Sequence, residues 1–181
     1  MKLATFPGLI ACVLAVIPIS VQAEPGDGKG QATATVIEPL SARPLQDLSF
    51  GTLTVGQGAG GEVRVASTAS QVEYSGTASP ACGASGACAP HPARFAVSGE
   101  AERAYRVQLP ASVQARGSET GQELEVSALE MQSRNQPAEG WRGTLDSAGE
   151  DEFAIGGVLN VPAATRPDTF RAELAVSVFY D

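Results

Sequence analysis

A single histidine, His91, serves the whole 181-residue chain, which excludes multi-histidine metal centres by count. No Gly-x-Ser-x-Gly elbow, phosphate-binding glycine loop or dinucleotide fingerprint occurs, and no hydroxyl or thiol stands in a pattern that would supply it with a base. The glycine-rich residues 56–61 (GQGAGG) lie between two strand patterns with no helix behind them. These absences point away from an enzyme and require no cofactor. Positive charge is scarce too: 12 lysines and arginines stand against 20 acids, a formal charge of −8. That balance favours solubility and argues against nucleic acid or an anionic lipid surface as a partner. Long apolar runs are missing. The one sustained run, residues 9–21, is shorter than the roughly 20 residues of a membrane-spanning helix. An apolar period of 3.6 persists for three turns nowhere beyond it, although residues 113–131 come close.

What is present begins with a leader. Lys2, the apolar run with Pro18 inside it, and the small residues before position 24 make residues 1–23 a secretory signal peptide pattern. Leu9-Ile10-Ala11-Cys12 imitates a lipoprotein cleavage box, but a cut there would leave almost no apolar segment ahead of it. Cleavage after Ala23 leaves no transmembrane segment and an exported protein, destined for the periplasm, the cell surface or the exterior. It also discards Cys12 and leaves Cys82 and Cys88 as an even pair in oxidising surroundings. A disulfide between them would contribute about 2 kcal/mol in the chain-entropy account. The alternative, a Cys-x5-Cys-x2-His metal site completed by His91, lacks an obvious fourth ligand. Residues 24–31 (EPGDGKGQ) form a polar, flexible tail, and residues 32–181 a single domain.

Within that domain the repeating signal is alternation. Ala32, Ala34 and Val36 share one face of a modest strand; Pro39 and Pro44 bracket a connection. Leu48 and Phe50 lie on one face, Leu53 and Val55 on the other, so a bulge or bend is expected at Gly51. Val63 with Val65, Phe95 with Val97, Tyr105 through Val107 to Leu109, and Leu124 with Val126 each mark a strand, and residues 71–74 add a short one. Phe153, Ile155, Gly157, Leu159 and Val161 line up at period two, and Leu174, Val176, Val178 and Tyr180 close the chain in the same way. The expected fold is all-β: an immunoglobulin-like antiparallel β-sandwich of eight or nine short strands. Residues 75–92 read as a surface loop stapled by the cysteine pair.

Two kinds of residue invite a functional role. Glu100 with Glu102, Glu123 with Glu125, and Glu150, Asp151 and Glu152 supply carboxylates, but on polar strand faces and in turns they read as solvated surface charge. Trp141, in a polar loop beside Arg142, is a candidate ligand contact through stacking on a sugar, against the plainer reading of packing over the end of the sandwich.

The stretches ATATVIEPL at residues 32–40, LSFGTLTV at 48–55, RFAVSGEAERAYRVQLP at 94–110 and FAIGGVLNVP at 153–162 resemble a family of secreted bacterial domains of unknown function, DUF4402. The most specific pieces are Phe50-Gly51, Phe95-x-Val97-x-Gly99 and Gly156-Gly157-x-Leu159. Where that family usually has Gly-x-Tyr before its last strand, this chain has Asp168-Thr169-Phe170. More distantly, the leader, the sandwich and the penultimate Tyr180 are similar to subunits assembled by the chaperone/usher route, such as fimbrial subunits and spore coat protein U-like domains. That likeness implies an incomplete sandwich whose missing strand comes from a periplasmic chaperone and then from an identical subunit. Ala32, Ala34 and Val36 would be the donor strand, and Leu174, Val176, Val178 and Tyr180 the chaperone-facing strand. The remaining alternative is a self-contained monomeric binding module without catalytic activity.

Overall fold

The computed structural model describes residues 29–68, 71–82, 88–138 and 140–181; the leader pattern and residues 24–28 of the tail lie outside them. One compact unit spans Val36–Asp181. In the unit that precedes it, the described residues 29–35 are exposed and form no regular structure.

Thirteen strands, all paired antiparallel and with no helix among the described residues, build a β-sandwich. They are β1 (Ser41–Gln46), β2 (Leu53–Thr54), β3 (Gly61–Val65), β4 (Val72–Gly76), β5 (Ser79–Pro80), β6 (Ala93–Ser98), β7 (Ala104–Gln108), β8 (Val113–Gly117), β9 (Glu123–Ser133), β10 (Arg142–Thr144), β11 (Glu150–Val161), β12 (Phe170–Arg171) and β13 (Ser177–Tyr180). The large layer is organised on β11. One of its edges carries β9; the other is shared, β6 taking residues 150–155 and β3 taking residues 157–161. β1 extends the sheet beyond β6, β4 beyond β3, and β8 then β12 beyond β9. The second layer is the three-stranded sheet β10-β7-β13, and β2 with β5 makes a separate ribbon.

The alternation of β11 carries through the strand: Phe153, Ile155, Leu159 and Val161 are buried. Passing from one neighbour to the next at Gly156-Gly157 requires glycine, because a Cβ on Gly156 would meet the backbone N of Ser67 at 2.5 Å and the backbone C of Ala66 at 2.6 Å. Across the sheet, the register jumps from Gly156↔Glu130 to Val158↔Ser127, and Ala128 takes a φ of 45°. Two residues of β9 thus face one of β11, a β-bulge that bends and twists the strand. The bulge also inverts parity. Leu124 and Val126 point inward before it, and Leu129, Met131 and Ser133 after it. A period of two broken once imitates a helical spacing, which accounts for the near-helical pattern of residues 113–131.

Tyr105 and Val107 of β7 join Phe153 and Ile155 of β11 in one buried cluster between the layers. Phe95 stacks on Phe153 with ring centroids 5.2 Å apart, and Tyr105 lies 6.4 Å from the same ring. The charged member of this interior is Asp151, 7% exposed, beside the buried Ser133. Its Oδ2 accepts the hydroxyls of Tyr105 at 2.7 Å and Ser133 at 2.6 Å; its Oδ1 accepts the backbone N–H of Asn135 at 3.1 Å and of Glu152 at 2.7 Å. Four donors replace the water that this carboxylate gives up. The reading of Asp151 as surface charge is therefore corrected: β11 begins at Glu150, and its alternation turns Asp151 inward. Burial, and then the hydrogen bond and charge of Asp151, push the Tyr105 phenol far above its ordinary range.

The bend expected at Gly51 is present, with φ at +72°, and through it Leu48, Phe50, Leu53 and Val55 all pack against the core. Other expectations fail. Residues 29–40 contain no strand, and Val36 is 94% exposed; alternating alanine and threonine offers too little apolar area to offset the ordering of the backbone. Residues 171–181 are not one strand. β12 pairs with β8, residues 172–176 have no ladder partner, and β13 pairs with β7 in the other layer, so the chain changes sheets on the way. Where Pro39 and Pro44 were read as bracketing a connection, β1 runs along the sheet edge with residues 41–45 exposed; a strand bare on both faces shows no alternation, and an edge accommodates proline. β8 escapes sequence reading because its inward residues, Val113, Ala115 and Gly117, are small. The count exceeds eight or nine because β2, β5, β10 and β12 have two or three residues each.

Gly156→Ala is expected to destabilise the domain by about 1–3 kcal/mol or more. Gly58→Ala, whose Cβ meets nothing within 4 Å, should stay within about 0.5 kcal/mol of the parent in urea unfolding. A second prediction concerns pH. Because folding raises the Tyr105 pKa, the stability it carries is whole below the unfolded value of about 10 and is lost as pH climbs from there toward the folded value. Tyr105→Phe should lower stability near neutral pH by about 1–3 kcal/mol, since Asp151 loses a donor, yet show a shallower decline than the parent above about pH 10.

Candidate functional site

β13 is the outer strand of its layer, with β7 on one side and no strand on the other among the described residues. The N–H of Asp181 donates to the carbonyl of Ala104 at 3.1 Å, and that of Val107 to the carbonyl of Trp141, on the β10 side, at 2.8 Å. These bonds fix the phase of the β7–β13 ladder, so that the N–H and C=O of Val178 and Tyr180 face the open edge. Leu174, Val176, Val178 and Tyr180 pack against the core but stay only half-buried, while the residues between them are exposed. On the same side β1 ends the large layer and approaches β13. Two strand edges therefore lie unpaired, among the described residues, next to half-covered core side chains.

Tyr180 organises one end of this region. Its hydroxyl accepts the backbone N–H of Glu100 at 2.7 Å and donates to the carbonyl of Glu38 at 2.8 Å. The guanidinium of Arg103 sits 5.2 Å from the ring centroid and pairs with Glu100 at 2.8 Å. One side chain thus ties the last strand to the β6–β7 turn and to the place where residues 36–38 enter the fold. Val36 and Ile37 are exposed beyond that tie. Ala32 and Ala34, in the preceding unit, are exposed and pair with no strand among the described residues.

A second feature borders the other edge of β7. Trp141, 44% exposed, lines a shallow pocket of about 350 Å³ together with Arg106, Val107, Gln108 and Leu109. Arg106 and Arg142 are cross-strand partners. They reach the Asp181 carboxylate at 3.7 Å and 3.2 Å.

Cys82 and Cys88 form a disulfide with Cα atoms 6.4 Å apart, which removes both thiolates from any metal site with His91. The backbone of His91 instead pairs with Ser49 in both directions, at 2.9 Å and 2.8 Å. Residues 83–87 of the loop lie outside the described residues. Glu100, Glu130 and Glu152 pair with Arg103, Arg64 and Arg94. Asp168, where the chain departs from the family pattern, accepts both the backbone N–H and the hydroxyl of Thr120 at 2.7 Å, the N–H of Glu119 at 3.1 Å and the hydroxyl of Ser118 at 3.0 Å. The two bonds from Thr120, then those from Glu119 and Ser118, hold its carboxyl well below the usual range, and they clamp the β8–β9 turn to the approach of β12. No local pattern marks Asp168 or Asp151 as an anchor, since most of the donors of each lie far along the chain.

The family described as a domain of unknown function (DUF4402) matches residues 40–180. The chain belongs to this family. The DUF4402 match takes in every strand of the sandwich and leaves the exposed residues 29–39 outside it. No curated protein and no solved structure matches the chain.

Tyr180→Phe removes both hydroxyl bonds while keeping the ring. It is expected to cost about 0.5–1.5 kcal/mol per bond and, more specifically, to raise protease cleavage near residues 36–40 with little change at the β6–β11 ladder.

Proposed function

We propose that this domain is an exported, non-catalytic structural or adhesive subunit that joins to copies of itself by β-strand addition. The observation that carries the reading is the open edge of β13, where the backbone N–H and C=O of Val178 and Tyr180 face no strand among the described residues and Leu174, Val176, Val178 and Tyr180 are half-covered. An added strand would take up those backbone groups and place every second side chain over the exposed part of the core. Ala32, Ala34 and Val36 are small enough to lie in so shallow a groove, and the segment that carries them pairs with no strand among the described residues. Export is supported by the leader pattern of residues 1–23 and by the disulfide. A periplasmic chaperone that covers the same edge before assembly belongs to this reading.

Strand donation from one copy to the next is head-to-tail and does not close, so it builds a fibre. The half-buried state of Leu174, Val176 and Val178 supports this over a sealed sandwich, whereas the pocket at Trp141 favours the second reading, a self-contained binding module. Deleting residues 24–37 separates the two. The strand-addition reading predicts a folded subunit with an unchanged unfolding midpoint that no longer forms heat-resistant oligomers in detergent. Oligomers that survive the deletion, or a parent protein that is monomeric at every concentration, would contradict it.

A further inference from the structure

We infer that the pocket beside Trp141 is a binding site for an acidic saccharide. The inference stands on the pocket alone and does not depend on strand addition. Its volume, about 350 Å³, falls at the lower end of small-ligand sites, and its lining joins Trp141, Val107 and Leu109 to the polar side chains of Arg106 and Gln108. Trp141 is anchored from behind, because its carbonyl receives the N–H of Val107 at 2.8 Å, and it keeps 44% of its surface exposed. The sheet thus fixes the backbone from which the indole projects, and the exposed ring offers a face on which a sugar's C–H groups can stack. Gln108, exposed on β7 and lining the same pocket, offers one amide that both donates and accepts, which suits paired hydroxyls.

The arginines decide the charge of the ligand. Arg106 lines the pocket, and Arg142 is its cross-strand partner, so both extend from the outer face of the three-stranded sheet. Their side chains are 59% and 60% exposed, and each reaches the Asp181 carboxylate at 3.7 Å and 3.2 Å without a hydrogen bond to any described residue. Two guanidinium forks with unspent donors, opposite one side-chain carboxylate on a chain of net charge −8, form a local site for a planar anion. A sugar carboxylate meets one fork in bidentate fashion. The overall negative charge, in turn, disfavours extended polyanions that must lie across the whole surface.

Trp141 is the sole tryptophan, so its emission reports this site and no other. Titrating the purified protein with an oligogalacturonate should give a saturable change in emission. A neutral galactose oligomer should give at least about tenfold weaker binding, a difference of about 1.4 kcal/mol. Arg106→Gln should weaken the oligogalacturonate by about tenfold or more at an unchanged urea midpoint, with Arg106→Lys intermediate, because the charge stays and the fork is lost. Binding should weaken several-fold as salt rises from about 0.05 to about 0.3 M. The proposal is overturned by the absence of a saturable change, by equal affinity for the neutral oligomer or for a polyglutamate peptide, or by unaltered affinity in Arg106→Gln.

Discussion

The carboxylate of Asp151 sits between the two layers, and its bond to the Tyr105 hydroxyl is directional where the apolar packing of Val107, Phe153 and Ile155 around it is not. Removing the Tyr105 hydroxyl leaves Asp151 buried with three of its four donors, the source of the cost of about 1–3 kcal/mol expected for Tyr105→Phe. The constraint reaches beyond stability. Tyr105 belongs to β7, and β7 carries β10 on one edge and β13 on the other. Fixing Tyr105 against β11 therefore sets where Trp141 stands and where the open edge of β13 faces.

Both candidate sites are borders of that one strand. On the β10 side the ladder ends after three residues, and Trp141 is left half out of the sheet beside Arg106 and Gln108. On the β13 side the ladder is complete along its inner edge, while its outer edge has no strand among the described residues. Open edges are ordinarily blunted by charge, proline or a bulge. β1 has Pro44 and a register shift next to it. β13 has no proline or charge among Ser177–Tyr180, and the tie from Tyr180 to Glu38 holds the exposed residues 36 and 37 at its end.

The all-β class and the interior of the large sheet were legible because alternation of large side chains records burial directly, as in Phe153, Ile155, Leu159 and Val161. Legibility failed where burial does not alternate. β1 is bare on both faces, β8 buries small residues, and the Ala128 bulge shifts the parity of β9 midway. The alternation of Leu174, Val176, Val178 and Tyr180 was visible, but the break into two sheets at residues 172–176 was not, since extended chain keeps its period with or without a ladder. At the candidate sites Trp141 and Tyr180 could be singled out as lone or terminal aromatics. The convergence of Arg106, Arg142 and Asp181, and the donors gathered on Asp151 and Asp168, depend on register between distant strands, which no local pattern encodes.

The open edge of β13 is tested most directly by amide hydrogen exchange with and without an excess of a peptide comprising residues 29–40. The account predicts that the amides of Val178 and Tyr180 exchange fast in the monomer and become protected by the peptide. The amide of Phe179, already turned toward β7, should change little. Unaltered exchange at Val178 and Tyr180, or equal protection by a scrambled peptide, would contradict it.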